Sequence, residues 1–190
     1  MARSLKPISI PSGITVSQAN RSLVFQGRLG KLSVDMPPRT DARVTSDSIM
    51  VEGADEDASR FVGLARALIR NALHGVTEGY TKTLEIRGMG FRAQKTKDGK
   101  TQLLVGYSHP VNIEAPEGIT IDLSTIPNPD DPKTQITEVT IKGTDRWAVG
   151  ELASNIRRLR PPDPYHGKGI RYRGEYVRKK AGKRAVGGQQ

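Results

Sequence analysis

The chain has 190 residues, of which 35% are hydrophobic and 26% are charged, a balance that permits a folded core and excludes wholesale disorder. Thirty Lys and Arg residues against twenty Asp and Glu give a formal net charge of +10, which favours a polyanionic partner. The absence of cysteine excludes a disulfide scaffold, a cysteine nucleophile and a thiolate metal site.

The N-terminal residues, Met1–Pro11, lack the continuous apolar stretch of a signal peptide. No later apolar run approaches the roughly 18 residues that a membrane-spanning helix needs. We therefore expect a soluble cytoplasmic protein with no membrane partner.

Two segments of the chain resemble each other, which indicates an internal duplication. Gln26–Pro37 and Val105–Pro116 each contain a glycine and then alternate apolar and polar residues up to a proline, as a half-buried strand does. Further on, Val51–Asp55 corresponds to Ile141–Asp145. Each of these predicts the end of a strand, then a glycine, then an aspartate that can cap a helix.

A helical apolar pattern follows each of the two copies. We predict an α+β fold of two tandem duplicated domains, each an antiparallel sheet covered by one main helix, with a basic C-terminal extension. The predicted limits are 1–81 for the first repeat, 82–177 for the second and 178–190 for the tail. The first helix has the apolar stripe Phe61, Leu64, Ala65, Leu68, Ile69 and Ala72, with Arg60, Arg66 and Arg70 off it, and the second has Val149, Leu152, Ala153 and Ile156.

Two glycine- or proline-rich segments interrupt these patterns. Gly88–Ala93 fits a relaxed dinucleotide fingerprint, but a Lys-rich hairpin with a turn at Asp98–Gly99 follows where a helix is required. A strand bulge or a close backbone approach explains its glycines better. Ile126–Lys133 contains three prolines and predicts a surface loop, and Gly75–Tyr80 predicts a helix end and linker.

Catalytic motifs find little support. The three histidines are widely separated and form no pair at zinc-ligand spacing, and the acidic residues Asp55–Asp57 are expected at a helix start. His166–Gly169 resembles a fragment of a phosphate loop but lacks the upstream glycine and the following Ser or Thr. We predict no catalytic residue, no metal and no cofactor.

Positive charge is concentrated at the C-terminal end. Residues 157–190 hold eleven Lys and Arg against Asp163 and Glu175, a net charge of +9 that leaves about +1 for residues 1–156. Tyr165, Tyr172 and Tyr176 are interleaved with these cations. Tyr165 and Tyr172 suit stacking on unpaired bases and packing of the loop equally well. The composition predicts a basic loop and tail that bind folded RNA.

Residues Pro162–Tyr172 resemble the signature of bacterial ribosomal protein L-six, universal ribosomal protein family six. The resemblance extends to Lys6–Ile14, Gly75–Lys82, Gly88–Ala93 and Gly106–Val111, and spans roughly residues 2–183. It implies two α+β domains that arose by duplication. It also implies binding to large-subunit ribosomal RNA near the stalk base and the sarcin–ricin loop, with neighbouring stalk-base proteins as partners and elongation factors as passing contacts.

The resemblance further implies that the second domain and the tail make the main RNA contacts. Pro127–Pro132 looks like an insertion, and His166 stands where the family often has lysine. The residues expected to bind ribosomal RNA are Arg157, Arg158, Arg160, Tyr165, His166, Lys168, Arg171, Tyr172, Arg173, Arg178, Lys179, Lys180, Lys183 and Arg184.

Two other functions compete with a structural ribosomal role. An RNA-processing enzyme with a basic delivery tail would need a cluster of acid–base or metal-binding residues, and the sequence offers none. A small architectural DNA-binding protein would need a basic helix face at recognition-helix spacing, which is also missing. We therefore expect a non-enzymatic component of the large ribosomal subunit, with no DNA partner.

Overall fold

The computed structural model describes residues 6–55, 58–96, 99–128, 131–180 and 182. Over these residues the chain forms thirteen strands and two α-helices. Neither helix in this part of the chain is both long and apolar enough to cross a bilayer. In chain order the elements are β1 (Ile8–Ser9), β2 (Thr15–Ala19), β3 (Ser22–Gly27), β4 (Gly30–Asp35), β5 (Thr40–Val44), β6 (Ser48–Gly53), α1 (Ser59–Thr77), β7 (Tyr80–Arg87), β8 (Arg92–Lys95), β9 (Thr101–Leu104), β10 (Val111–Ile113), β11 (Ile119–Asn128), β12 (Asp131–Gly143), α2 (Arg146–Leu159) and β13 (Gly169–Tyr172).

Contacts divide the chain into two compact units. One comprises the residues up to Thr81 together with Glu117–Ile119 and Lys142–Val149, and the other comprises Lys82–Pro116, Thr120–Ile141 and the residues from Gly150 onward. The domain limits expected from the sequence, 1–81, 82–177 and 178–190, stay a prediction.

The first unit builds its core between two small sheets and helix α1. Strands β2, β3 and β4 form one antiparallel sheet, and β1, β6 and β5 form the other. Alternate residues of β3 and β6 point inward because side chains along a strand face opposite sides. Leu23, Phe25 and Ile49 are fully buried there, and α1 contacts β3, β4, β5 and β6.

The buried face of α1 is displaced from the predicted stripe. Leu64 is 49% exposed and Phe61 lies beneath the guanidinium of Arg60, whereas Arg66, expected on the outer face, is buried. The helix carries two overlapping apolar stripes at helical spacing, and contact with the sheets selects the second. Its buried members are Val62, Ala65, Arg66, Ile69, Ala72, Leu73, Gly75 and Val76.

The two helices begin differently. Asp145 caps α2 as predicted, because its Oδ1 accepts the backbone N–H of Trp147 at 2.9 Å. The matching prediction for Asp55 was wrong: the N-cap of α1 is Ala58, which has no side-chain cap, and the Ala58 N–H donates to the Asp55 backbone carbonyl. Glu56 and Asp57, also expected at this helix start, lie outside the described residues.

The connection after α1 is shorter than predicted. The helix continues through Gly75 to Thr77, and β7 already begins at Tyr80. Gly79 ends the helix with a φ of +78°, and its N–H reaches the carbonyl of His74 at 3.1 Å. A glycine in the left-handed conformation reverses the chain direction here at little steric cost. The two residues between α1 and β7 are therefore a sufficient connection.

The second repeat contains a three-stranded sheet ordered β10-β9-β8 and a four-stranded sheet ordered β11-β12-β7-β13. The hairpin β8–β9 is antiparallel and turns near Gly99 (φ +76°), as predicted, although Asp98 lies outside the described residues. The predicted stripe of α2 is confirmed, since Val149, Ala153 and Ile156 are buried and Leu152 is partly buried.

The proline-rich segment Ile126–Lys133 was wrongly predicted to be an irregular loop. Strand β11 continues through Pro127 to Asn128, and β12 resumes at Asp131. Because β11 is an edge strand, a proline can lie in it without removing a ladder hydrogen bond from the sheet interior. Pro129 and Asp130, between the two strands, lie outside the described residues.

Strand β13 carries the basic segment into the four-stranded sheet. It pairs antiparallel with β7, with Ile170 opposite Ile86 and Arg171 opposite Glu85. Alternation gives these two strands an apolar face, where Leu84, Ile86 and Ile170 are buried, and a charged face, where Glu85 and Arg171 lie.

Candidate nucleic-acid interface

Asp163 organises the loop between α2 and β13. Its carboxylate accepts the backbone N–H groups of Tyr165 at 3.2 Å and His166 at 3.0 Å. These bonds, with a further contact to the His166 ring at 3.0 Å, lower the pKa of Asp163. Backbone bonds between Asp163 and both Gly167 and Lys168, each 2.8 Å, close the turn. The loop is consequently held by its own backbone before any ligand binds.

Gly169 lets the loop fold tightly against the prolines that follow α2. A Cβ at this position would lie 2.6 Å from the Pro161 carbonyl oxygen and 2.7 Å from Pro162 Cα, and its φ is +138°. Only glycine suits both this backbone conformation and this approach. The next residue, Ile170, donates its N–H to the Arg160 carbonyl at 2.8 Å and enters β13.

Arg157 and Glu175 join the end of α2 to the segment after β13. Arg157 Nε lies 3.0 Å from Glu175 Oε2, and Nη2 lies 2.5 Å from Oε1. The same carboxylate accepts the Tyr172 N–H at 2.9 Å, and the Arg157 guanidinium lies 5.8 Å from the Tyr172 ring centroid. The hydrogen bond with Arg157 lowers the pKa of Glu175 and raises that of Arg157.

The two arginines of the loop exit differ in exposure. Arg171 is partly buried and donates from Nη2 to the Gly167 carbonyl at 3.1 Å. The side chain of Arg173 is 67% exposed, with its Nε 3.6 Å from Glu138 Oε1, an ion-pair distance. Arg173 is thus open to a ligand, while Arg171 also stabilises the loop.

The structure sorts the predicted cations into two groups. Arg157 and Arg171 are partly buried and hold the loop. Lys183 and Arg184 lie outside the described residues, so the structure does not place them. Seven of the described cations are exposed: Arg158, Arg160, Lys168, Arg173, Arg178, Lys179 and Lys180.

The first residues of the tail are attached to the loop. Arg178–Lys180 have no regular secondary structure, but the Lys180 N–H donates to the Pro164 carbonyl at 2.9 Å. Loop and tail cations therefore share one region. Clustered positive charge of this kind creates a potential that attracts anions.

The predicted aromatic residues also differ. Tyr165 and His166 are exposed beside the Asp163 turn, whereas Tyr172 is partly buried against Arg157. Of the two roles that the sequence left open, Tyr172 takes packing, and Tyr165 is available for a ligand. Tyr176, which is interleaved with the cations in sequence but is not among the predicted RNA contacts, is 88% exposed.

Among the described residues, no group of His, Asp and Glu is arranged to hold a metal ion. The Gly88–Ala93 segment is a turn that leads into β8, and a Cβ at Gly88 would lie 2.9 Å from the Phe91 ring. The close approach predicted for these glycines is found at Gly88, whereas nothing lies within 4 Å of a Cβ at Gly90.

A comparison with known protein families matches two separate segments of the chain. The family model described as ribosomal protein L6 matches residues 10–79 and 87–173. The chain belongs to the ribosomal protein L6 family. The two matched segments correspond to the tandem duplicated α+β domains predicted from the sequence, and they confirm the resemblance on which that prediction partly rested.

Relatives of the ribosomal protein L6 family resemble almost the whole chain. The large ribosomal subunit protein uL6 of Staphylococcus saprophyticus is 45% identical over 181 residues, covering 94% of this chain and 95% of the relative. Those of Halalkalibacterium halodurans and Rubrobacter xylanophilus are 44% and 42% identical, with 94% and 93% of this chain covered and 95% of each relative. These relatives are named as ribosomal proteins, in agreement with the expectation of a non-enzymatic protein.

Proposed function

We propose that the chain is a structural component of the large ribosomal subunit that binds its ribosomal RNA through the basic loop and tail. The observation that carries the proposal is a set of seven exposed cations on a backbone fixed by internal bonds. Membership of the ribosomal protein L6 family supports the assignment to the large ribosomal subunit, which works in the cytoplasm. Its place near the stalk base and the sarcin–ricin loop rests on the resemblance alone.

The mechanism is electrostatic and geometric. RNA phosphates release bound counterions when Lys and Arg replace them, which favours association. The Asp163 turn and the Arg157–Glu175 ion pair fix the loop beforehand, so less conformational entropy is lost when RNA binds. Exposed Arg side chains offer paired donors to phosphate, and Lys side chains act as point charges.

Further parts of the proposal concern organisation and partners. The nearly neutral residues 1–156 act as a strut between RNA and neighbouring stalk-base proteins, and elongation factors pass close by. We retain 1–81 and 82–177 as the two repeats and 178–190 as the tail. Direct contacts come from the exposed cations, Tyr165 and His166, whereas Arg157, Arg171 and Tyr172 position the loop.

A charge-matched pair of variants tests the RNA site. One triple variant replaces Lys168, Arg173 and Lys180 with Gln. The control variant replaces three exposed cations of the first repeat with Gln: Arg21, Arg28 and Lys31. Both remove three positive charges. Binding of deproteinised large-subunit RNA, measured at several salt concentrations, should weaken only for the first triple. Its salt slope should fall by about one for each phosphate that is no longer neutralised.

Equal weakening by both triples would mean that net charge alone drives binding, and the proposed site would be wrong. Sedimentation of a cell lysate at increasing salt tests the subunit assignment. Retention with the large subunit through moderately high salt is expected. Release at low salt would favour the RNA-processing alternative.

A further inference from the structure

A second group of exposed rings lies in the turn between β9 and β10. Residues 106–110 are all exposed, and Tyr107 is 46% exposed despite its large apolar ring. The Tyr107 and His109 rings are 6.4 Å apart between centroids and inclined by 24°, close to parallel. Neither residue was predicted from the sequence as part of the site.

This turn is fixed to the end of α2. The Tyr107 hydroxyl donates to the Leu159 carbonyl at 2.5 Å, and the Arg160 guanidinium lies 5.9 Å from the Tyr107 ring centroid. On the other side, a Cβ at Gly106 would lie 2.9 Å from the Phe91 ring. The Tyr107 ring is therefore held at the end of α2, where the basic loop begins, and the His109 ring lies beside it.

Anchoring of the helix end explains the Tyr107 hydroxyl but not the rest of the group. A residue that served only to satisfy a carbonyl would gain stability from burying its ring, yet almost half of Tyr107 meets solvent. Parallel rings beside an arginine are what proteins use to hold an unpaired nucleotide. The base stacks on the rings and the guanidinium contacts the phosphate.

We propose that Tyr107, His109 and Arg160 form a second RNA contact, which stacks an unpaired base of the same ribosomal RNA while the exposed cations hold its phosphates. The inference rests on the proposed function and adds a second place at which an unpaired nucleotide is bound, besides the exposed ring of Tyr165. It also extends the interface onto the β9–β10 turn.

The test uses the full chain and deproteinised large-subunit RNA. Tyr107→Leu and His109→Leu each remove a ring and keep apolar bulk, and Tyr107→Phe is the matched control that keeps the ring and removes only the hydroxyl. We expect each Leu variant to bind about 5- to 100-fold more weakly. The salt slope should not change, because no cation is removed. Tyr107→Phe should weaken binding less than Tyr107→Leu does, because the stacking ring is kept and only the bond to the Leu159 carbonyl is lost.

His109→Leu keeps the test decisive if Tyr107→Leu lowers stability, because His109 makes no part of the Leu159 bond. Wild-type affinity in both Leu variants would overturn the inference and leave the proposed function intact. The same holds if Tyr107→Phe weakens binding as much as Tyr107→Leu while His109→Leu has no effect. Failure of the wild type to bind this RNA would overturn the proposed function, and the inference with it.

Discussion

Arg157 and Glu175 form a two-point ion pair across 18 residues of sequence, and the same carboxylate also holds the Tyr172 N–H. Glu175 is one of only two acidic residues in the basic region 157–190. The other, Asp163, likewise accepts backbone N–H groups. Both acids in this region therefore shape the backbone that carries the cations.

Glu175→Gln tests whether shape or charge dominates. Removing a negative charge from a phosphate-binding region should strengthen RNA binding if only net charge mattered. We expect weaker binding, together with a decrease of about 1–2 kcal/mol in stability, because the ion pair with Arg157 is broken. Affinity for large-subunit RNA and thermal melting of the free chain are the measurements.

Glu151→Gln is the control, since Glu151 is an exposed acid on α2. It should bind RNA as well as the wild type or slightly better. Tighter binding by Glu175→Gln would show that Glu175 does not position the loop.

The ion pair between Glu175 and Arg157 also predicts that the stability of the protein depends on pH. The folded-state pKa of Glu175 lies below its unfolded value of about 4.3, so the unfolded chain binds the proton more readily. The stabilisation is complete above the unfolded pKa and is lost as pH falls through the folded pKa. The melting temperatures of the wild type and Glu175→Gln should differ at pH 7 and converge in acid. A difference that stays constant as the pH falls well below the unfolded-state pKa would contradict this.

Gly169→Ala should disrupt the loop more than Gly174→Ala does. Both glycines have positive φ, but a Cβ at Gly169 overlaps the backbone of Pro161 and Pro162, while nothing lies within 4 Å of one at Gly174. We expect decreases in stability of about 2–4 kcal/mol and about 1 kcal/mol respectively, measured by chemical denaturation. Equal decreases would mean that the prolines move aside readily.

Lys168 and Arg171 should separate RNA binding from stability. Lys168→Ala removes an exposed cation, so it should lower the affinity for RNA and reduce the salt slope of binding by about one. Its melting temperature should not change. Arg171→Ala should lower the melting temperature as well, because it removes the bond to the Gly167 carbonyl. Equal melting temperatures for the two variants would show that this bond contributes nothing.

Much of the fold is predictable because its signals are local. The strand–glycine–aspartate–helix order of Ile141–Asp145 and the stripe of α2 are both found in the structure. The stripe of α1 could not be chosen in advance, since Leu64 and Val62 belong to alternative faces of equal periodicity. Pro127 led to the wrong prediction of a loop. A proline is compatible with a strand at the edge of a sheet, and the neighbouring residues do not show which strand lies at the edge.

The candidate site is predictable in composition and less so in roles. Charge density locates the basic region, but Arg157 and Arg158 look equivalent in sequence, and only the contact with Glu175 distinguishes them. Tyr107 was missed because its partner, Leu159, is 52 residues away in the chain. Neither the sequence around Tyr107 nor the sequence around Arg160 indicates that these two side chains lie close together.

The pairing of β7 with β13 has a consequence for the order of folding. Among the described residues, the buried core of the first repeat is drawn from Ile8 to Val76, so these core contacts are available early in synthesis. Strand β7 follows at once, but its partner Ile170 emerges about 80 residues after Ile86, at one of the longest loop closures in the fold. One edge of β7 thus stays open until late. A nascent or truncated chain should expose that edge to aggregation and should gain its RNA-binding surface only when synthesis is nearly complete.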